Sequence, residues 1–290
     1  MGPLISFLIK CIFWIVSKMP MSIQIFLGRC WGWLWFDILR IRREVALANL
    51  EFCFPNKTDK ERLKIARNSC HNLGMSLIEF CRFPFVGQKD KSLFQIEGVE
   101  NLEAALAKGN GVMILTQHIG NGDWATVGLS LHGIKLHVIT KEMGVKWAND
   151  LWFESRRRLG TELIADRNTA YKILKALKKN GVVAYMLDQF MGPPLGVKTK
   201  FFGKETGTPM GLALLTRRSK AAVVPVYTVR RDDGVTIVNF APEIPFVESE
   251  NPEDTVKDMT QIYCDKIEEY VRKFPDQWMW VHRRWKPFRD

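Results

Sequence analysis

The sequence predicts an α/β fold, a mostly parallel central sheet flanked by helices, with an N-terminal membrane-anchoring helical segment in front of it. Three observations predict this. From residue 93 onward, apolar strand-like runs alternate with helical stretches, as βαβ units require. The run at 112–115 is unbroken Val-Met-Ile-Leu, as in strands buried on both faces, and it ends abruptly in polar Thr116, Gln117 and His118. The first forty residues are far richer in apolar and aromatic side chains than the rest of the chain.

Within those forty, residues 3–16 (PLISFLIKCIFWIV) are apolar except for Ser6 and Lys10, and residues 23–39 add a second run with Trp31, Trp33, Trp35 and Phe36. Each run falls short of the ~20 residues that cross a bilayer upright. No small-residue cleavage site comes after them, which argues against a secretory signal. Tryptophans favour the headgroup level, and Arg40, Arg42 and Arg43 come next, as a cytoplasmic flank would. Two forms of anchor stay open, one tilted helix or a helix pair lying partly in the interface, with a buried helical hairpin as the alternative. The predicted division is an anchor over 1–40 and an α/β domain over 41–290.

Residues 44–87 read as helical, with apolar positions spaced along 59–80 and Pro55 and Pro84 as punctuation. Glu79, inside the apolar run SLIEFCRF, is expected to form a solvated helix-face pair with Arg82, a basic residue of the core being the other choice. Strands are predicted at 93–97, 111–116, 134–139, 161–164, 182–187, 221–228 and 235–240. Helices are predicted at about 100–108, 123–131, 145–158, 169–179 and 208–218, with Gly109, Gly133, Gly160 and Gly181 as stop signals. Thr208-Pro209 reads as a helix start, Thr capping and Pro opening the first turn. The Gly/Pro-rich stretch after Gln189 reads as a long loop walling a pocket.

The chemistry concentrates in GVMILTQHIGNGDW, residues 111–124. Ligands gather at the carboxyl ends of strands in open α/β sheets, and His118 sits at such an end. Gly120, Asn121 and Gly122 favour a tight turn that can fold Asp123 back towards the imidazole. A carboxylate on one ring nitrogen fixes the tautomer and leaves the other as a base for an alcohol. The plainer reading makes Asp123 only the N-cap of the helix beginning at Trp124. A second polar strand end, Asp188 and Gln189 after GVVAYML, faces the same crevice, with a structural hydrogen bond as the plainer role for Asp188. Arg156, Arg157 and Arg158 end a helix, where its dipole favours cations; as they point in different directions, at least one faces the core or a bound anion.

At 290 residues and 47% apolar content, the chain can bury one large core. Its net charge of +11 calls for an anionic partner: nucleic acid, a phospholipid surface, a phosphorylated substrate or an acidic protein. The six cysteines have no metal-like spacing and form no CxxC, which argues against zinc and redox chemistry and favours a reducing compartment. The tail DQWMWVHRRWKPF, residues 276–288, interleaves tryptophans with cations; the mixture could stack on bases, but no nucleic-acid motif accompanies it, and it suits an interface with membrane, an acidic partner or a sheet edge equally well.

Together these residues resemble the late acyltransferases of lipid A biosynthesis, within the broader glycerolipid acyltransferase-like group. The resemblance is carried by RREVALANLEFCFP at 42–55, HIGNGD at 118–123, LDQ at 187–189 with FFG after it at 201–203, and WMWVHRRWK at 278–286, and it covers nearly the whole chain. It implies transfer of a fatty acyl chain from the phosphopantetheine of acyl carrier protein to a hydroxyl of a phosphorylated glycolipid, a lipid A precursor, at the cytoplasmic face of the bacterial inner membrane. It implies no tightly bound cofactor, no metal and no nucleic-acid partner. His118 would be the base and Asp123 its orienting acid. Gly120, Asn121, Gly122, Arg156, Arg157, Arg158, Asp188 and Gln189 would bind substrate or stabilise the oxyanion. The family also acylates other lipid acceptors. A thioester hydrolase using the same site and a non-catalytic membrane scaffold are the competing classes.

Overall fold

A computed structural model describes residues 3–140, 145–165 and 168–288. The apolar N-terminus folds as two helices, α1 (Pro3–Lys18) and α2 (Met21–Trp33), then a π-helical turn over Leu34–Ile38. Helices α3 (Arg43–Cys53) and α4 (Asp59–Arg82) come next; Thr58 and Glu61 form a reciprocal capping box that starts α4. The sheet and its helices then alternate: β1 (Phe94–Glu97), α5 (Val99–Leu106), β2 (Val112–Thr116), α6 (Gly122–Leu131), β3 (His137–Thr140), α7 (Lys146–Arg158), β4 (Glu162–Ala165), α8 (Thr169–Lys178) and β5 (Val182–Met186). A hairpin of β6 (Gly196–Phe201) and β7 (Lys204–Pro209) precedes α9 (Gly211–Ser219), β8 (Ala222–Arg230), β9 (Thr236–Phe240) and α10 (Pro252–Lys273).

The main sheet runs β1-β9-β8-β2-β5-β3-β4, and every neighbouring pair is parallel except β8 with β9. That matches the mostly parallel sheet expected. Alternation along the central strands sends Met113, Leu115, Val183 and Val223 to the core under α8, α9 and α10, and Val112, Ile114, Val182 and Val224 to the core under α5 and α6. With both faces covered, an unbroken apolar run is the pattern these strands need.

Two sequence expectations fail here. The stretch from Gly196 to Pro209 is an antiparallel hairpin rather than a loop, turning at Phe202-Gly203, both at positive φ. Thr208 and Pro209 therefore end β7, and the helix begins later, at Gly211. The long α10, unread in the sequence, covers the hairpin and one sheet face.

The N-terminal runs form a helix pair, a form shared by the interfacial anchor and by the helical-hairpin alternative. Helix α2 lies close on α4: a Cβ on Gly74 would run into the carbonyl oxygen of Gly28. The opposite side of the pair leaves Phe7, Ile12, Trp14, Phe26, Trp31 and Trp33 exposed. Among the described residues, no helix is long and apolar enough to cross a membrane.

Candidate active site

Strands β2 and β5 are paired in register, Val112 with Val182 through Thr116 with Met186. Carrying that register two residues beyond the strand ends sets His118 beside Asp188. The imidazole Nδ1–H donates to Asp188 Oδ1 at 2.7 Å, and the backbone N–H of His118 donates to Oδ2 at 2.8 Å. Trp278 supplies a third donor, its indole N–H lying 2.8 Å from Oδ2. Burial alone would raise the Asp188 pKa, but the imidazole and the three donors outweigh it and hold the carboxyl below its usual range. For His118 burial likewise opposes the charged form, and the Asp188 carboxylate overrides it, raising the imidazole above its ordinary value. An ionised Asp188 is acceptor-only, so Nδ1 carries the proton and Nε2 presents its lone pair. The side-chain amide of Gln189 lies 3.3 Å from Nε2.

The carboxylate on the imidazole is thus that of Asp188, not the Asp123 expected from its neighbourhood in sequence. The turn explains why. Gly120 takes φ of +65°, and Asn121 is extended and caps α6, its Oδ1 accepting from the N–H groups of Asp123 (3.1 Å) and Trp124 (3.2 Å). Asp123 is therefore neither the cap nor the orienting acid. It lies in the first turn of α6 and forms an ion pair with Arg156 of α7. Arg156 also donates to Thr140 Oγ1 at 3.2 Å and stacks over Trp152 at 3.9 Å. Burial presses its pKa down to about 9, still high enough to keep it cationic at neutral pH, where it faces a carboxylate.

Of the three consecutive arginines, only Arg156 enters this cavity. Arg157 is exposed on the far side of α7, over the ring of Phe153. Arg158 caps the backbone, donating to the carbonyls of Phe83 at 3.0 Å and Val86 at 2.9 Å.

Beneath the turn lies a buried polar network, of which the sequence signalled only Glu79 with a basic residue of the core, the second of the two pairings it left open. Glu79 pairs with Arg230 at 2.6 Å, both side chains nearly inaccessible, and accepts from the Asn121 amide at 2.8 Å. The expected helix-face pair of Glu79 with Arg82 does not form; Arg82 pairs with Asp90 at 3.3 Å. Asn72 holds the Gly120 carbonyl at 3.1 Å and accepts from Arg230. The Gly120 N–H is taken by the Gln277 carbonyl at 3.1 Å, which removes it from the expected oxyanion donors. The N–H groups of Asn121 and Gly122 have no acceptor among the described residues and lie in the cavity wall.

That cavity encloses about 700 Å³. Its polar part carries His118, Asp123, Thr140, Arg156 and Gln189, and its apolar part passes between α6 and the sheet along Ile114, Ala125, Leu129, Leu136 and Val226. Among the described residues, no His, Cys, Asp and Glu side chains gather as metal ligands. Burial pushes the thiols of Cys53, Cys70, Cys81 and Cys264 up, which keeps them protonated and poor as nucleophiles.

The aromatic, basic tail is structural rather than an exposed interface. Trp278, Trp280 and Arg284 are buried to within 1% of full exclusion. Trp278 holds Asp188, and Ile119 bridges to it through the backbone. Arg284 donates to the hydroxyls of Thr206 at 3.1 Å and Thr208 at 2.5 Å, clamping the hairpin. Asn49 of α3 holds the carbonyls of Trp280 at 2.9 Å and His282 at 3.0 Å. His282 Nε2 accepts the Phe190 N–H at 3.3 Å, and burial lowers its pKa, so it stands neutral. The motifs at 42–55, 118–123, 187–189 and 278–286 thus form one connected unit around His118.

Comparison with known proteins agrees with this unit. The family described as bacterial lipid A biosynthesis acyltransferase matches residues 3–287. Lipid A biosynthesis palmitoleoyltransferase of Escherichia coli (strain K12) is 29% identical over 284 residues, covering 95% of this chain and 89% of that protein. Lipid A biosynthesis lauroyltransferase of the same strain is 27% identical over 285 residues, with 95% and 89% covered. A phosphatidylinositol mannoside acyltransferase of Mycobacterium tuberculosis (strain CDC 1551 / Oshkosh) is 24% identical over 194 residues, 66% of this chain and 59% of that protein. The chain belongs to the bacterial lipid A biosynthesis acyltransferase family and is an acyltransferase.

Proposed function

We propose that this family member transfers a fatty acyl chain from the phosphopantetheine of acyl carrier protein to a hydroxyl of a phosphorylated lipid A precursor, with His118 as general base. The observation that carries the reading is the dyad: a buried, triply bonded Asp188 on Nδ1, and an Nε2 that meets only the Gln189 amide and opens into a cavity that is polar at one end and apolar along the other. The apolar arm between α6 and the sheet suits the hydrocarbon chain, and the polar end suits a hydroxylated, anionic acceptor.

In the reaction, Nε2 takes the acceptor hydroxyl proton as its oxygen attacks the thioester carbonyl carbon. The imidazolium that forms is stabilised by Asp188. The N–H groups of Asn121 and Gly122, at the positive end of α6, are the donors for the oxyanion. The tetrahedral intermediate then collapses, the C–S bond breaks, and the departing thiolate recovers the proton from His118. No protein nucleophile takes part. Arg156, steadied by Asp123, supplies positive charge for an acceptor phosphate or the oxyanion.

The exposed aromatic face of α1 and α2 suits a peripheral seat in the membrane interface, with Arg40 and Arg42 towards anionic headgroups of the cytoplasmic leaflet. The test is incubation of purified protein with acyl carrier proteins of several chain lengths and a lipid A precursor, read by mass spectrometry. The expected result is one acyl group on the precursor in place of a hydroxyl hydrogen, with the carrier's thiol released. No gain under any combination refutes the reading.

A further inference from the structure

One outer surface has no part in the site described above. Helix α8 reads TAYKILKALK, with no acidic residue and with Lys179 directly after it. Its inner side buries Ile173, Ala176 and Leu177, while Lys172, Lys175, Lys178 and Lys179 all stand exposed. None of the four enters an ion pair among the described residues. On α4 and α10, by contrast, cations are interleaved with acids: Lys60 lies between Asp59 and Glu61, and Lys266 and Arg272 pair with Glu269 and Glu268. A first turn without Asp or Glu also forgoes the favourable interaction with the helix dipole, so helix stability does not account for the composition.

Two further features mark the same surface. Tyr171 is 69% exposed, more than the other exposed large apolar residues of the described chain. A shallow cleft of about 650 Å³ runs between α8 and α9, lined by Tyr171, Leu174, Lys175, Lys178 and Arg218. Exposed aromatics are anchors that protein interfaces favour, and lysines around one steer an acidic partner towards it. The helix also points the right way. It starts at Thr169, which lines the catalytic cavity, and its ten residues extend about 15 Å from that mouth.

We propose that α8 and the α8–α9 cleft are the docking surface for the acidic carrier protein that delivers the acyl thioester. The inference rests on the proposed acyl transfer from such a carrier. An acidic helix of the carrier lies along α8 with its carboxylates on Lys172, Lys175, Lys178 and Arg218, and Tyr171 packs against its apolar face. The end that bears the phosphopantetheine lies at Thr169, and the arm passes from there into the cavity towards His118. Charge steers the encounter, and the aromatic contact fixes the register.

The test compares the full-length protein with the triple variant Lys172→Glu/Lys175→Glu/Lys178→Glu and with a charge-reversal control, Lys60→Glu/Lys64→Glu. Binding of fluorescently labelled acyl carrier protein is followed by anisotropy at low and high salt. Acyl transfer is measured from the carrier-protein thioester and from the same acyl group on free pantetheine. The expected result is binding weakened about tenfold or more in the triple variant, with a flattened salt dependence, and a similar fall in the ratio of kcat/KM between the two donors. The control keeps both within about twofold. Equal binding by wild type and triple variant overturns the surface, as does an equal loss on both donors. Binding that collapses on charge reversal supports the surface even if no donor yields product, and that absence of product counts against the acyl-transfer reading alone.

Discussion

Asp188→Asn isolates the feature on which the dyad depends. Asp188 Oδ2 accepts from the backbone N–H of His118 and the indole N–H of Trp278, both at 2.8 Å, and Oδ1 accepts from the imidazole at 2.7 Å. An asparagine in this place has one settled orientation. Its carbonyl oxygen replaces Oδ2 and keeps both donors satisfied, so its NH₂ faces Nδ1. The ring must then accept at Nδ1 and carry its proton on Nε2, the wrong tautomer for a base. The imidazolium formed in the reaction also loses its counter-charge, worth about 4 kcal/mol for charges ~4 Å apart at an effective dielectric of ~20. At about 1.4 kcal/mol per tenfold, turnover falls on the order of a thousandfold, and the tautomer penalty adds to that. The substitution is nearly isosteric and keeps the His118 and Trp278 N–H groups paired, so the circular dichroism spectrum and melting curve stay close to wild type. The residual activity carries a second signature. In the wild type Asp188 raises the His118 pKa against the opposing effect of burial, and activity is lost as pH falls through that raised value. Without the carboxylate, burial alone acts and lowers the pKa, so the acid limb of the pH–rate profile moves to lower pH. Acyl transfer is assayed at saturating donor and acceptor from about pH 5 to 9, a range centred on the histidine region. Turnover within tenfold of wild type, or an acid limb that stays in place, refutes the assignment of Asp188 to the imidazole.

Asp123→Asn removes the partner of Arg156 instead; turnover drops, yet the acid limb of the same profile stays where it is, and a displaced limb would put Asp123 on the imidazole after all. His118→Ala costs about a hundredfold or more in turnover with the melting curve preserved, which single-turnover assays of the purified variant measure directly. Ala125→Leu fills part of the apolar arm between α6 and the sheet; competition among donors of different length, read by mass spectrometry, shifts product towards shorter chains, and an unchanged distribution would mean that the acyl chain lies elsewhere. Glu79→Ala leaves Arg230 buried without its carboxylate and releases Asn121, destabilising the protein by about 3–5 kcal/mol in a urea unfolding series. A midpoint equal to that of wild type would contradict the buried pair.

Much of the fold is legible locally because its strands are buried on both faces. A chain that must hide every side chain of a strand writes an unbroken apolar run, and those runs mark the central strands to within a residue or two. The same reading fails where the pattern is not local. The hairpin at 196–209 alternates charged and small residues (VKTKF, KETGTP) and turns at Phe202-Gly203, a pair without the Asn-Gly signature of such turns. The tail at 278–286 has the composition of an exposed interface, yet its cation Arg284 is buried because β7 presents hydroxyls to it.

By itself the sequence pointed to His118 at one polar strand end and Asp188 at another, in basic and aromatic surroundings. It even contained the decisive register: GVMILTQH and GVVAYMLD place His118 and Asp188 each seven positions after the glycine that precedes the strand. It could not state that β5, seventy residues from β2 in the chain, is its neighbour in the sheet while β3 and β4 lie beyond. Strand order comes from how the crossovers pack on the two faces, a property of the whole core rather than of any segment. That order, together with the turn before α6, decided which acid holds the imidazole. Asp123, five residues from His118, was carried by the first turn of α6 to Arg156, and the distant Asp188 was brought to within a hydrogen bond.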